Sequence, residues 1–237
     1  MAGQLASDFR CYIMENSSGR LYRIMNFHHV VQLFERRELF FAHPSSWQDP
    51  YETRLTYREN HKIYAQCWCG KGVSDAMWRI YSPNHLGIRI STSTRKLRQA
   101  LEKSKKNADF DIRLGEVDYL SQFNINKSAK ALHAELANSF DISRAIDFLY
   151  MKREAFSHEA EYRVVLINHA AEADQITKGF KVSINPMQLI DSILIDPRAP
   201  DELAAALSFY FTEKIGFKKR VQRSVLYKAP GLLVVEQ

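Results

Sequence analysis

The sequence predicts an α+β protein built on mixed, largely antiparallel sheets with flanking helices. Three observations carry that expectation. Short β-branched and aromatic runs, such as LFFA at 39–42 and IYAQCWC at 63–69, are interleaved with amphipathic stretches of helical period. The interleaving has no regular βαβ rhythm, and no Gly-rich phosphate loop opens a helix. The 237 residues, 46% apolar and 25% charged, suffice for one well-formed core, and no internal repeat or Gly/Ser linker divides them. One domain over 1–237 is expected, with the chemistry-bearing motifs in 20–170 and residues 171–237 completing the sheet.

In chain order, a strand at 21–24 precedes a helix capped by Asn26, with Val30, Leu33 and Phe34 as its apolar face. A second strand at 39–42 ends at Pro44, and the turn-forming loop 45–52 carries Trp47 and Tyr51. Residues 63–69 read as a strand, followed by a short helix that Ser74 caps and that bears Met77, Trp78 and Tyr81. A strand at 86–91 hands over, at Ser93 or Thr94, to a basic helix reaching 106. Two helices, at 127–138 and 142–156, lead into a strand at 159–167. Strands follow at 180–184, 190–195 and 225–235, with a helix over 200–215 opened by Pro200 and Asp201.

Composition excludes several classes. No apolar run approaches the roughly 20 residues that cross a bilayer, and the N-terminus lacks a basic-then-apolar leader pattern, so no membrane partner is expected. The three cysteines, Cys11, Cys67 and Cys69, have no disulfide-framework spacing, which favours a reducing, cytoplasmic setting. Cys67 and Cys69 share a strand face but lack a C-x-x-C or H-x-x-x-H companion, so no metal site is expected. Thirty-three basic residues against 27 acidic ones leave a formal charge of +6, concentrated in 95–106 and 218–223. Such clusters can follow a nucleic-acid backbone, or can be solvated faces.

Residues 152–167, KREAFSHEAEYRVVLI, run from a charged helical end into an apolar strand. In an extended strand Glu159, Glu161 and Arg163 would share one side, and Tyr162, Val164 and Leu166 the other. Acids and a guanidinium aligned in this way are costly to bury and commonly mark a cleft. One carboxylate could stabilise an oxocarbenium-like centre as a glycosidic bond breaks, and the other could orient a nucleophile or accept its proton. The bland alternative is a surface ion pair with Arg163. Arg23, flanked by Tyr22 and Ile24, could hold a ribose or pyrophosphate, or could be a solvated strand-edge residue. Trp78 and Tyr81, three apart on one helix face, could wall a flat ligand or pack in the core. Ser91-Thr92-Ser93 offers hydroxyls to a ligand, though capping of the next helix explains it too.

Taken together these pieces resemble an uncharacterised bacterial family of unknown function. LYR at 21–23, QDPYE at 48–52, CWC at 67–69 with MWRIY at 77–81, and HEAEYR at 158–163 stand where that family carries L-Y-[RK]-[YF], N-D-P-[FM]-E, C-F-S…M-W-x-x-Y and [YH]-E-x-E-[YW]-R. Gln48 stands where Asn is usual, and Cys69 where Ser is usual. The resemblance spans residues 20–170 and implies no activity.

The same order, an Arg on an opening strand, a hydroxyl or aromatic motif in the middle and an E-x-E pair on a later strand, also resembles the ADP-ribosyltransferase superfamily. That resemblance implies a fold with its NAD cleft between two sheets, and NAD as cofactor. Glu161 would be catalytic, Glu159 would serve the acceptor and Arg23 would bind NAD. Trp78 and Tyr81, or alternatively Ser91 with its neighbours, would line the nicotinamide pocket, and Tyr22 and Arg163 join the cofactor-binding set. The function it implies is a mono-ADP-ribosyltransferase, a bacterial toxin or phage-defence effector. An RNA, DNA or protein acceptor and a neutralising antitoxin are the expected partners. Two rivals stand beside it: a non-enzymatic nucleic-acid-binding module stacking bases on Trp47, Trp78 and Tyr81, and a Mg²⁺ nuclease using Asp49, Glu52, Glu159 and Glu161.

Overall fold

Eleven strands organise the residues that the computed structural model describes, which are 19–106, 108–173, 179–231 and 233. In chain order they are β1 (Arg20–Asn26), β2 (Glu38–Ala42), β3 (Ile63–Cys69), β4 (Gly87–Ser93), β5 (Phe110–Glu116), β6 (Asp118–Leu120), β7 (Met151–Arg153), β8 (Glu161–Asn168), β9 (Gly179–Ser183), β10 (Ser192–Ile195) and β11 (Arg220–Arg223). The principal helices are α1 (Phe27–Arg36), α2 (Asp75–Tyr81), α3 (Thr94–Lys105), α4 (Gln122–Asn138), α5 (Ile142–Ala145), α6 (Pro186–Leu189) and α7 (Asp201–Phe209). No helix among the described residues is long and apolar enough to cross a membrane.

Nine strands form one sheet in the order β11-β10-β4-β1-β3-β2-β9, with β8 on the other edge of β3 and β5 beyond it. The pairings are antiparallel except β10–β11, and β6–β7 form a separate parallel pair. The chain is thus α+β with a mostly antiparallel sheet and flanking helices, as the sequence predicts.

The decisive feature is how β3 is shared. One edge pairs with β8 from Ile63–Ile167 to Cys69–Glu161. The other edge meets β2 near its start, at Ala65–Ala42, and β1 at its end, at Cys69–Tyr22. Beyond those points β1 and β2 diverge and the sheet splits. Gln66 spans part of the gap, donating its side-chain N–H to the Phe40 carbonyl at 2.8 Å and accepting from the Trp68 indole at 2.8 Å.

Alternation along β8 covers both sheet faces. Val164 and Leu166 join the main core with Leu21, Phe41, Trp68, Ile90 and Phe211, whereas Val165 and Ile167 pack with Ile63, Ala65, Leu149 and Tyr150. Two-sided burial explains why Tyr64, Trp68 and the β8 run are apolar on both sides. Ser74, Ser93 and Ser121 cap α2, α3 and α4 through their hydroxyls. Asn26 is the N-cap of α1 without a side-chain bond.

Several expected elements differ. Residues 142–156 are not one helix: α5 passes into a 3-10 stretch, then β7, then a second 3-10 turn over Glu154–Glu159. Ile146, Phe148 and Leu149 sit at spacings that fill a core, and that packing overrides a uniform helix. The expected strand start at 159 moves to Glu161, because Ala160 adopts the left-handed conformation (φ 43°) and ends the turn. The alternating FDIRLGE of β5 was not anticipated. The final strand lies at β11 rather than 225–235, part of which is outside the described residues, as is Cys11. The helix after Pro200 runs from Asp201 and finishes as a π turn over Tyr210–Lys214.

Gly87 opens β4 against Ser82, whose hydroxyl accepts its N–H at 2.8 Å. A Cβ at this position would lie 2.4 Å from the Ser82 Cβ. We expect Gly87→Ala to cost about 1–3 kcal/mol through overpacking. The measurement is the urea midpoint, which should fall without a change in slope.

Candidate active site

A cleft of about 180 Å³ opens where β1 parts from β3, and it is lined by Tyr22, Arg23, Cys67, Trp68, Cys69, Lys71, Met77, Trp78, Tyr81, Arg89, Glu159 and Glu161 among others. A second lobe of about 540 Å³ lies between β1 and β2, sharing Arg23, Ile24 and Tyr81 with the first. The register explains the convergence. Ser192, Ser91, Tyr22, Cys69 and Glu161 are successive partners across β10, β4, β1, β3 and β8, so they form one row. Arg23 follows directly after the last β1–β3 pair, at the start of the split.

Below the cleft floor lies a buried cluster of charges. The Lys152 ammonium, on β7, donates to Glu159 Oε2 at 2.7 Å and to Glu161 Oε1 at 2.5 Å, and stands 3.9 Å from Glu52 Oε2. Arg163 donates from Nε to Glu161 Oε2 at 2.6 Å, from Nη1 to the Leu149 carbonyl at 2.6 Å, and from Nη2 to Glu52. Its guanidinium lies 4.4 Å from the Trp47 ring centre and is 1% exposed. The backbone of Glu161 is clamped as well: its N–H donates to the Tyr119 hydroxyl at 2.8 Å, and its carbonyl accepts from Val117 at 3.0 Å.

These contacts separate the two acids. Burial opposes ionisation of Glu161, but Arg163, a hydrogen bond from Glu159 and Lys152 together hold its carboxyl well below the usual range. Glu159 touches Lys152 alone among the cations. Burial, followed by the hydrogen bond with Glu161, pushes it up to about 7. Lys152 and Arg163 are themselves held charged: burial works against both, and carboxylates outweigh it. Burial pushes the Cys67 thiol up to about 12, leaving it neutral beside the pair.

Arg23 is half-buried, and burial lowers its pKa. No hydrogen-bond or ion-pair partner for its guanidinium is found among the described residues, although it stays charged at any ordinary pH. Trp78 and Tyr81 both line the cleft, Trp78 being 1% exposed and Tyr81 42% exposed. Tyr22 lies in the wall with the Arg89 guanidinium 4.8 Å from its ring centre, and Arg89 also donates to the Gly72 carbonyl.

Two of the expected cofactor-binding residues lie elsewhere. Ser91 is buried with its hydroxyl 2.6 Å from that of Ser192, and Thr92 donates to the Leu189 carbonyl. Arg163 sits beneath the acids rather than in the cleft lining, because its whole fork is used on Glu161, Leu149 and Glu52. Of the four acids of the nuclease reading, Glu52, Glu159 and Glu161 meet around Lys152 and Arg163 while Asp49 is bound by Arg153, so cationic side chains take up their oxygens. Among the described residues no group of three or more His, Cys, Asp or Glu side chains is disposed to hold a metal ion. Sequence reasoning overlooked Lys152, Lys71 and Arg89 as members of this region. Lys152 had a signal, a cation seven residues before one acid and nine before the other. Arg89 had only its apolar flanks in GIRI.

A carboxyl raised in the fold keeps its proton where the unfolded chain has released it. Stability on account of Glu159 therefore falls as pH rises from the unfolded carboxylate range near 4.3 toward about 7. Glu161 has the opposite sign, its contribution being complete above that range and lost as pH falls below it. Glu159→Gln fixes the neutral form. We expect this variant to gain stability relative to the native chain between about pH 5 and 8, on the order of 1–2 kcal/mol after solvent screening. Paired thermal melts across that range measure it, and parallel curves would contradict it.

Comparison with known proteins adds the following. Residues 77–164 match the model of a family described as a protein of unknown function, DUF2971. That span runs from α2 into β8 and includes Trp78, Tyr81, Glu159 and Glu161, in agreement with the motif resemblance to a family of unknown function. No curated protein matches the chain. Among solved structures, it is similar to DarT of Thermus sp. 2.9 in complex with ADP-ribosylated ssDNA, at 12% identity and a TM-score of 0.42, covering 88% of this chain and 95% of that one. The same protein in complex with NAD+ gives 11% identity and a TM-score of 0.40, covering 87% and 95%, and with carba-NAD+ 12% and 0.41, covering 88% and 97%.

Proposed function

We propose that this protein is an NAD-dependent mono-ADP-ribosyltransferase whose acceptor is a nucleic acid, working in a reducing, cytoplasmic setting. One observation carries the reading: a guanidinium without a partner among the described residues, at the sheet split, and a rigidly held acid pair line the same cleft.

The residues suit a dinucleotide. Arg23, with no partner among the described residues, is available to a phosphate or ribose oxygen. Lys71 and Arg89 add positive charge to the wall, and the exposed ring of Tyr81 offers a face to a flat heterocycle. When bound, NAD would supply an ADP-ribosyl group on a good leaving group, nicotinamide. Glu161 is then a fixed negative charge in the cleft lining, and a carboxylate anchored through both oxygens needs no reorganisation to stabilise developing positive charge. Glu159, near neutrality in its proton affinity, suits the task of taking a proton from an acceptor hydroxyl or amine.

Charge at the cleft rim favours a nucleic-acid acceptor. Arg89 in the wall lies within electrostatic reach of Arg220 of β11, and the neighbouring Lys219 within reach of Lys96, which Asp191 pairs, so cations extend beyond the cleft wall where a phosphate backbone can meet them. A transferase acting on cellular nucleic acid would poison its own cell, which is the sense of reading it as a toxin or phage-defence effector with a neutralising antitoxin. A purely base-stacking module is less well supported, since Trp47 covers Arg163 and Trp78 is buried.

The test is incubation with labelled NAD and cell lysate, following label into protein, RNA, DNA or free ADP-ribose. We expect Glu161→Gln to lower nicotinamide release by about 10²-fold or more with the fold intact. Full activity in that variant would end the assignment. Arg23→Met should raise the KM for NAD about 10-fold or more while the melting temperature changes little, the loss of one charge-assisted contact.

A further inference from the structure

Within the reading just proposed, we infer that Lys152 is a positioning residue that sets different tasks for the two acids: its shared ammonium keeps Glu161 charged and leaves Glu159 to carry the exchangeable proton. The argument begins with charge. Glu52, Glu159 and Glu161 bring three carboxylates to a buried cluster with only two cations, Lys152 and Arg163. An excess negative charge away from water is relieved by one proton, which goes to the carboxylate with the fewest cationic contacts. Glu161 is bound by both cations, one on each oxygen. Glu52 is bound by Arg163 and lies 3.9 Å from Lys152. Glu159 is bound by Lys152 alone. The proton therefore resides on Glu159.

Geometry singles out lysine for this position. Glu159 ends a 3-10 turn, Glu161 begins β8, and the left-handed Ala160 lies between them. A compact ammonium on a long stem reaches both carboxylates from β7, whereas a planar guanidinium would have to satisfy two acids set at different angles. The Phe156 ring, 4.9 Å from Lys152 Nζ, closes another side. The other titratable groups facing the pair are Cys67 and Cys69 on β3, Tyr81 on α2 and Tyr119 on β6; burial raises the pKa of all four and leaves them neutral at physiological pH, so none competes for the ammonium. Lys71 and Arg89 stand in the same cleft wall, and neither bonds to either acid among the described residues.

The test pairs a titration with a rate profile. In protein carrying ¹³C-labelled glutamate, the side-chain carboxyl signals are followed by NMR against pH in the native chain, Glu159→Gln, Lys152→Met and Lys152→Arg. One signal should titrate near neutrality in the native chain and vanish in Glu159→Gln. Its persistence in Glu159→Gln would overturn the inference, whether or not the lysine variants fold. Lys152→Met should raise that midpoint by about one unit or more, and bring a second signal, that of Glu161, into the range above about pH 4. Lys152→Arg, which keeps the charge but not the compact head that reaches both acids, should give midpoints between those of the native chain and Lys152→Met. Unchanged titrations in Lys152→Met would also overturn it. The pH profile of nicotinamide release from NAD should move with the NMR midpoint. If the native chain releases no nicotinamide, the transferase reading fails while the carboxyl titrations still decide the role of Lys152.

Discussion

The structure depends on a small set of charges that would be unfavourable anywhere else in the molecule. Glu52, Lys152, Glu159, Glu161 and Arg163 are all buried. Removing such ions from water costs several kcal/mol apiece before pairing, and well-packed apolar residues in their place would often be as stable. What such a cluster can provide is order. Both oxygens of Glu161 are fixed, its backbone is tied to Tyr119 and Val117, and no buried side-chain nitrogen or oxygen among the described residues lacks a partner. A satisfied network of this kind holds its acids rigidly, whereas a partly satisfied one would collapse or hydrate.

The cluster needs an opening, and the sheet supplies it by a conflict of pairing. β3 offers one edge to β8 along its length, but its other edge is claimed by β2 at one end and β1 at the other. Two strands cannot both follow that edge, so they part. The cleft is the resulting wedge, and its depth is set by which residues fall beyond the last pair. Tyr22 is the last residue of β1 paired with β3, and Arg23 is the first beyond it, paired on its other edge with Ile90 of β4. The same split explains why the second lobe borders the first: both are views of one gap from either side of Arg23 and Tyr81.

Much of the fold was legible in the chain. The runs that became β1, β2, β3 and β4 are short, apolar and bounded by caps or prolines, and their periodicity and capping serines act locally. The segment before β8 was not legible. Ile146, Phe148 and Leu149 satisfy a helical spacing, and only the available core space breaks them into turns around β7. The alternation put Glu161 and Arg163 on one face of β8 and Tyr162, Val164 and Leu166 on the other, as observed, but it placed Glu159 in the strand and could not say that both faces would be covered.

At the site, residue chemistry could be read from sequence and proximity could not. An arginine after a Leu-Tyr pair and two glutamates beside an arginine are local facts, visible because side-chain type and strand alternation need no partner. That Arg23 and Glu161 line one cleft, that Arg163 turns inward, that Ser91 is spent on Ser192 and that Lys152 bridges the acids were decided only by the three-dimensional arrangement. The reason is physical. Pairing register and two-sided burial join residues far apart in the chain, and whether a charged side chain is exposed to a ligand or consumed by a neighbour depends on those distant partners.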